Sequence, residues 1–171
     1  MIVNDLTNAA AEDEACFFKE LIPAVGADSE VGLNIIRAAD FLFDRARRVL
    51  APFGMSEPQF NVLAVLETVP EGLTMCEMAR RMLISRAGMT GLVKGMEAKG
   101  WIARGKVPGD ARAVCLRITP AGLAILEQIM PNHLRSVEET VGACFSDTEK
   151  AELIRLLTRL RGHLAEWRAA Q

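Results

Sequence analysis

Between Met75 and Arg117 the sequence concentrates its cations. Nine basic residues stand there against Glu77, Glu97 and Asp110, a surplus of six in a chain whose net charge is −2. A basic segment within an otherwise acidic chain suits contact with phosphates. Arg86, Thr90 and Lys94 recur every four residues, which on a helix makes one ridge. Ala87 and Gly91 between them are small, so such a helix can approach a major groove closely. Arg86 near the start of that helix suits a base edge, whereas Lys94 and Lys99 suit phosphate. Further on, Lys106-Val-Pro-Gly-Asp-Ala-Arg112 places three charges on a short loop. There Asp110 can orient Arg112, and an oriented arginine fits a narrow minor groove, where negative potential is enhanced.

Other chemistries are poorly provided for. Cys16, Cys76, Cys115 and Cys144 are widely separated with no CxxC pair, and His133 and His163 lie far apart. Without closely spaced ligand pairs, neither a metal nor another cofactor is expected. Buried or bystander thiols are expected, because a reactive cysteine needs an electropositive, partly exposed setting. The sequence has no Gly-rich phosphate loop and no GxSxG elbow, and no histidine stands near a candidate nucleophile, so catalysis is not expected. No apolar run approaches the ~18–20 residues that span a bilayer. The opening stretch carries Asp5, Glu12, Asp13 and Glu14 and no basic start, unlike a secretory signal. Half the residues are hydrophobic and 25% are charged, a globular balance. A cytoplasmic protein with no membrane partner is the resulting expectation.

Helix starts that could position the ridge are written repeatedly. Ser56-Glu-Pro-Gln59, Thr74-Met-Cys-Glu77 and Ser146-Asp-Thr-Glu149 have the form of capping boxes. Ser85 can cap a further helix, and Thr119-Pro120 supplies a cap with proline at the first helical position. These signals predict helices over about 29–51, 57–68, 75–82, 85–99, 120–143 and 147–168. Pro131 should kink or break the fifth. An acidic helix over 7–22 is a further expectation. Met78, Ala79 and Met82, with Met89, Leu92, Val93 and Met96, give apolar faces to the helix pair 75–99. Trp101–Arg104 and Ala113–Ile118 flank Pro108-Gly109-Asp110, which predicts a β-hairpin. Its second arm should turn Val114, Leu116 and Ile118 to one face and Cys115 and Arg117 to the other. Leu153, Leu157, Leu160, Leu164 and Trp167 alternate spacings of four and three, a stripe suited to a partner helix or to packing within the subunit.

A helix pair followed by a hairpin is the outline of a winged helix-turn-helix. Residues 56–126 resemble the MarR family of winged-helix regulators. The stretches that carry the likeness are Ser-Arg-Ala-Gly-Met-Thr-Gly-Leu-Val-Lys at 85–94, Lys-Gly-Trp-Ile-Ala-Arg at 99–104, Asp-Ala-Arg-Ala-Val at 110–114 and Ile-Thr-Pro-Ala-Gly at 118–122. The order of helices extends the likeness over about 29–168. It implies a mainly α fold, a winged helix-turn-helix domain with a small β-hairpin wing flanked by N- and C-terminal dimerisation helices. The divisions are an acidic extension at 1–28, a dimerisation helix at 29–55, the DNA-binding domain at 56–118 and C-terminal dimerisation helices at 119–171. The implied DNA-contacting residues are Ser85, Arg86, Thr90, Lys94, Arg104, Lys106, Asp110 and Arg112. The implied partners are double-stranded DNA with a pseudo-palindromic operator, a second copy of the chain and a small, often aromatic, effector that releases a repressor from nearby genes. Phe41, Phe43 and Trp101 can be core or ligand-facing. Two alternatives stay open: a cysteine-based redox-responsive regulator of the same fold, and a winged helix used as a protein-interaction module. Cys16 lies upstream of the first long helix, where the oxidant-sensing type is not clearly matched.

Overall fold

The computed structural model describes residues 26–82, 84–107 and 110–169, with side chains at all of these except 86, 106, 107, 110–113, 168 and 169. The acidic helix expected over 7–22, with Cys16, lies outside the described residues. In chain order the elements are α1 (Ala27–Leu50), a 3-10 turn (Ala51–Phe53), α2 (Glu57–Glu67), β1 (Leu73–Thr74), α3 (Met75–Met82) and α4 (Arg86–Ala98). There follow β2 (Ile102–Val107), β3 (Asp110–Ile118), α5 (Pro120–Val137), a π turn (Glu138–Gly142) and α6 (Asp147–Ala169). The mainly helical architecture with a small hairpin is the one expected. The chain divides into two units between Phe43 and Asp44, inside α1.

In the first unit the described residues are the leading part of α1. Its opening turn is closed by the Gly26 carbonyl, which accepts from the Ser29 and Glu30 amides at 3.0 and 3.2 Å.

In the second unit the caps form as written. The Ser56 amide donates to Gln59 Oε1 at 3.0 Å. Thr74 and Glu77 cap reciprocally, with amide contacts of 2.9 and 3.2 Å, and Ser146 and Glu149 do the same at 2.8 and 3.4 Å. Each box satisfies amide donors that a helix start leaves without partners. The boxes also hold the Glu77 and Glu149 carboxyls below the usual carboxylate range, chiefly through the hydrogen bonds from Thr74 and Ser146.

The core is built from α2, α3, α4 and the strand roots. Leu63, Leu66, Met78, Met89, Val93, Met96 and Leu116 are fully buried. It also draws in Leu50, Met55, Leu126 and Ile129, which lie outside 56–118. The expected apolar faces of α3 and α4 are thus the ones that turn inward.

Three features depart from the sequence expectations. The sheet has three antiparallel strands in the order β1-β3-β2, with Leu73 opposite Leu116 and Ile102 opposite Ile118. A two-residue strand leaves no periodic signal, since it exists through its pairing with β3. On β3 the expected alternation is incomplete. Cys115 and Leu116 are both buried while Val114 is 42% exposed, because Cys115 packs over Gly105, which has no side chain, and Val114 lies farther toward the hairpin tip. Finally, α5 continues through Pro131 without breaking. Proline removes the hydrogen bond to the Glu127 carbonyl, but Glu127 and Pro131 are both exposed, so water can serve that carbonyl. The irregularity falls later, in the π turn. Beside it Arg45 from α1 donates to Ser136 Oγ in the last turn of α5 at 2.9 Å and pairs with Glu139 of the π turn at 2.6 Å.

One close approach fixes α5 to the base of the hairpin. A Cβ on Gly122 would stand 2.0 Å from the Trp101 carbonyl oxygen, so no other residue fits there. Around it the Thr119 amide donates to that same carbonyl at 3.0 Å, and the Thr119 hydroxyl donates to the Gly100 carbonyl at 2.6 Å.

Candidate nucleic-acid interface

The turn between α3 and α4 is short and internally bonded. The Ile84 amide donates to the Ala79 carbonyl at 3.1 Å, and Ser85 Oγ accepts from the Gly88 amide at 3.2 Å as the cap of α4. Met89, Val93 and Met96 anchor α4 on the core, with Leu92 half-buried beside them. The remaining face is consequently directed to solvent. Ala87, Thr90, Gly91 and Lys94 are all exposed on it, in the positions the spacing predicts. Gly91 is instructive: a Cβ there would meet nothing within 4 Å. Glycine inside a helix costs about 1 kcal/mol relative to alanine. The packing of this chain does not require it, whereas close approach to an outside surface would.

Of the other sequence-derived site residues, the Arg86, Lys106, Asp110 and Arg112 side chains, and with them the expected Asp110–Arg112 pairing, lie outside the described side chains. Their backbone positions are described. Arg86 is the first residue of α4, and Val107 pairs with Asp110 where the hairpin narrows to its tip. The register is irregular between Lys106 and Val107.

Arg104 is bound within the chain. Its Nε and Nη2 donate to the two carboxylate oxygens of Glu97 at 2.8 and 3.1 Å, bringing β2 onto the last turn of α4. The carboxylate holds the guanidinium proton more tightly than usual. Lys99, expected at phosphate, is also engaged: its Nζ donates to the Gly54 carbonyl at 2.6 Å and lies 4.2 Å from the centre of the Trp101 ring. That geometry combines a charge-assisted hydrogen bond with a cation–π contact. Arg117 Nε donates to the Glu71 carbonyl at 3.0 Å. Glu97 is the neighbour of Arg104 that the sequence reading did not pair with it. Its signal was an acidic side chain in the last turn of a helix, where the macrodipole disfavours it.

Cys115 is buried and Cys76 and Cys144 are exposed, and these three form no disulfide. Among the described residues no cluster of three or more His, Cys, Asp or Glu could hold a metal ion. Among them also, no helix is long and apolar enough to cross a membrane.

The sequence model described as MarR family matches residues 53–113. A Thauera aromatica protein, named as a transcriptional regulatory protein for the hcr operon, is 32% identical over 132 residues, 77% of this chain and 78% of that protein. The chain belongs to the MarR family. Like other MarR-family proteins it is a DNA-binding transcription regulator and not an enzyme. The HTH-type transcriptional regulator PecS of Dickeya dadantii is 26% identical over 164 residues, 95% of this chain and 94% of PecS. Among solved structures, Sco3205, a MarR family transcriptional regulator from Streptomyces coelicolor crystallised in complex with DNA, superposes with a TM-score of 0.76. It is 26% identical, and the match covers 82% of this chain and 89% of Sco3205.

Proposed function

We propose that this MarR-family chain is a homodimeric repressor of nearby genes. It reads a pseudo-palindromic operator through α4 and the hairpin and leaves DNA when a small aromatic ligand binds. The observation that carries the reading is the exposed ridge of Thr90, Gly91 and Lys94 on a helix whose other face is fully committed to the core. Ser85 and Arg86 open that helix at the end suited to base edges. Lys106, Asp110 and Arg112 belong to the hairpin tip, where Arg112 is assigned to the minor groove. Sco3205, crystallised in complex with DNA, supports DNA as the partner.

Dimerisation is supported by the apolar side chains left outside the core. On α1 these include Phe41 and Phe43, on α5 Leu134 and Val137, and on α6 Ile154, Leu164 and Trp167. Exposed apolar surface on this scale marks an interaction face. Two copies would set their reading helices about 34–36 Å apart, one turn of DNA. A ligand that favours another spacing releases the operator by shifting the population. The small aromatic effector is the class implied by the family resemblance.

The test is a gel shift with the duplex adjacent to the chain's own gene, run over a salt series and with a panel of aromatic acids. Binding should weaken steeply with salt, with a log–log slope of about −0.9 per neutralised phosphate. Arg86→Ala should cost about 1–3 kcal/mol on the operator and little on random duplex. Equal losses on both duplexes would contradict the base-reading role, and a monomer at micromolar concentration would sink the two-site mechanism.

A further inference from the structure

Glu97 is the one acidic residue of α4 and stands next to its last position. Two physical effects oppose an acid there. The carbonyl end of the helix carries partial negative charge, and a carboxylate on a DNA-facing helix repels phosphate. The structure shows what offsets them. Both oxygens of Glu97 are taken by Arg104, at 2.8 and 3.1 Å, in the two-pronged geometry that fixes a guanidinium in plane as well as in distance. The backbone between the partners turns at Gly100, whose φ is +72°. A glycine turn leaves the direction of the following strand weakly determined. Lys99, bonded to Gly54 and lying over Trp101, ties down the near side of the same turn. The far side is held by the Glu97–Arg104 pair.

We infer that Glu97 and Arg104 are positioning residues for DNA reading: the pair sets the angle between α4 and the hairpin, and Arg104 is not a phosphate contact. The inference rests on the assignment of α4 and the hairpin to DNA made above. It carries an electrostatically unexpected consequence. Removing the negative charge of Glu97 makes the reading face more positive, yet it should weaken binding.

The experiment compares full-length wild type, Glu97→Gln, Arg104→Gln and the double variant Glu97→Arg/Arg104→Glu. Each is titrated onto the duplex adjacent to the gene and onto a scrambled duplex across a salt series. Glu97→Gln should bind the first duplex up to about fivefold more weakly, the scale of one exposed ion pair. Arg104→Gln should show a similar loss with an unchanged salt slope. The exchanged pair should recover most of the affinity, since it restores the contact and places the cation at the helix end that favours it. Tighter binding by Glu97→Gln overturns the inference. So does a slope flattened by about 0.9 per protomer in Arg104→Gln, which would mark a phosphate contact. An exchanged pair that folds but binds no better than Arg104→Gln overturns it as well. Circular dichroism of each variant identifies misfolding, and should Glu97→Gln misfold, the slope of Arg104→Gln and recovery by the exchanged pair decide the matter. Failure of wild type to bind either duplex removes the DNA assignment itself, an outcome separate from all of these.

Discussion

Apolar residues face opposite ways in two regions of this chain. From Leu50 to Ile129 most turn inward, and Leu63, Leu66, Met89, Met96 and Leu116 show no exposed surface. On α1 and α6 they turn outward. Phe41 is 63% exposed, Ile154 65% and Trp167 59%, and no described residue of α6 is buried. Helices gain most of their stability from packing an apolar face, so the exposed apolar residues of α6 are the ones that the proposed dimer would cover. Under that proposal the first region carries its own core and the reading helix, and α6 serves association.

The comparison breaks most visibly if the outward residues are disabled. Ile154→Asp/Leu164→Asp should turn the proposed dimer into a monomer in analytical ultracentrifugation and cost at least ~100-fold in operator affinity, the scale of lost two-site binding. A variant that stays dimeric and binds normally would show that this face has another purpose. Gly122→Ala attacks the inward region instead. The clash with the Trp101 carbonyl should cost about 3 kcal/mol, read as a lower urea midpoint at unchanged m-value. Gly91→Ala sharpens the division, because its two effects have opposite signs. It should raise stability by about 1 kcal/mol through helix propensity and reduce operator affinity. Equal or tighter DNA binding would show that nothing approaches α4 closely at that point.

The smallest effect belongs to His133 on α5, whose ring centre lies 4.5 Å from that of Phe60, tilted by 48°. Among the described residues its buried Nδ1 has no hydrogen-bond partner. Burial lowers its pKa below the ordinary 6.5, and the nearby Glu57 carboxylate opposes the shift without cancelling it. The unfolded chain therefore binds this proton more readily than the folded one. The stability at stake is fully present above pH 6.5 and is lost as pH falls through the depressed folded value. The urea midpoint should drop between about pH 7.5 and pH 5.5, and His133→Phe should flatten that part of the profile. An unchanged slope in the variant would assign the pH dependence to other groups.

What the sequence disclosed was mostly local. Ser56, Thr74, Ser85, Thr119 and Ser146 each announce a helix because their partners lie within three residues. The inward stripe of Met89, Val93 and Met96 follows from helical period alone. Contacts between elements were not legible. Nothing local showed that Lys99 meets the Gly54 carbonyl, 45 residues away in sequence. Nor did the local pattern show that the turn at Gly100 brings Arg104 back onto Glu97. β1 could not be seen before β3 gave it a partner. Pro131 does not break α5, because its orphaned carbonyl partner is exposed and can reach water. The outward apolar residues were legible as a stripe, but which of them a single subunit covers was not.

The contact of Gly122 with Trp101 also has a mechanical meaning. It welds the first turn of α5 to the root of β2, so a tilt of that turn is passed to the hairpin without slack. A strand of six residues reaches about 20 Å. A rotation of roughly 10° at its root therefore sweeps its tip through about 3.5 Å, farther than a hydrogen bond to DNA can stretch and survive. Under the proposed reading, the hairpin would be the long arm of a lever whose short arm lies in α5, and a rearrangement too small to disturb the core would lift the tip out of a groove.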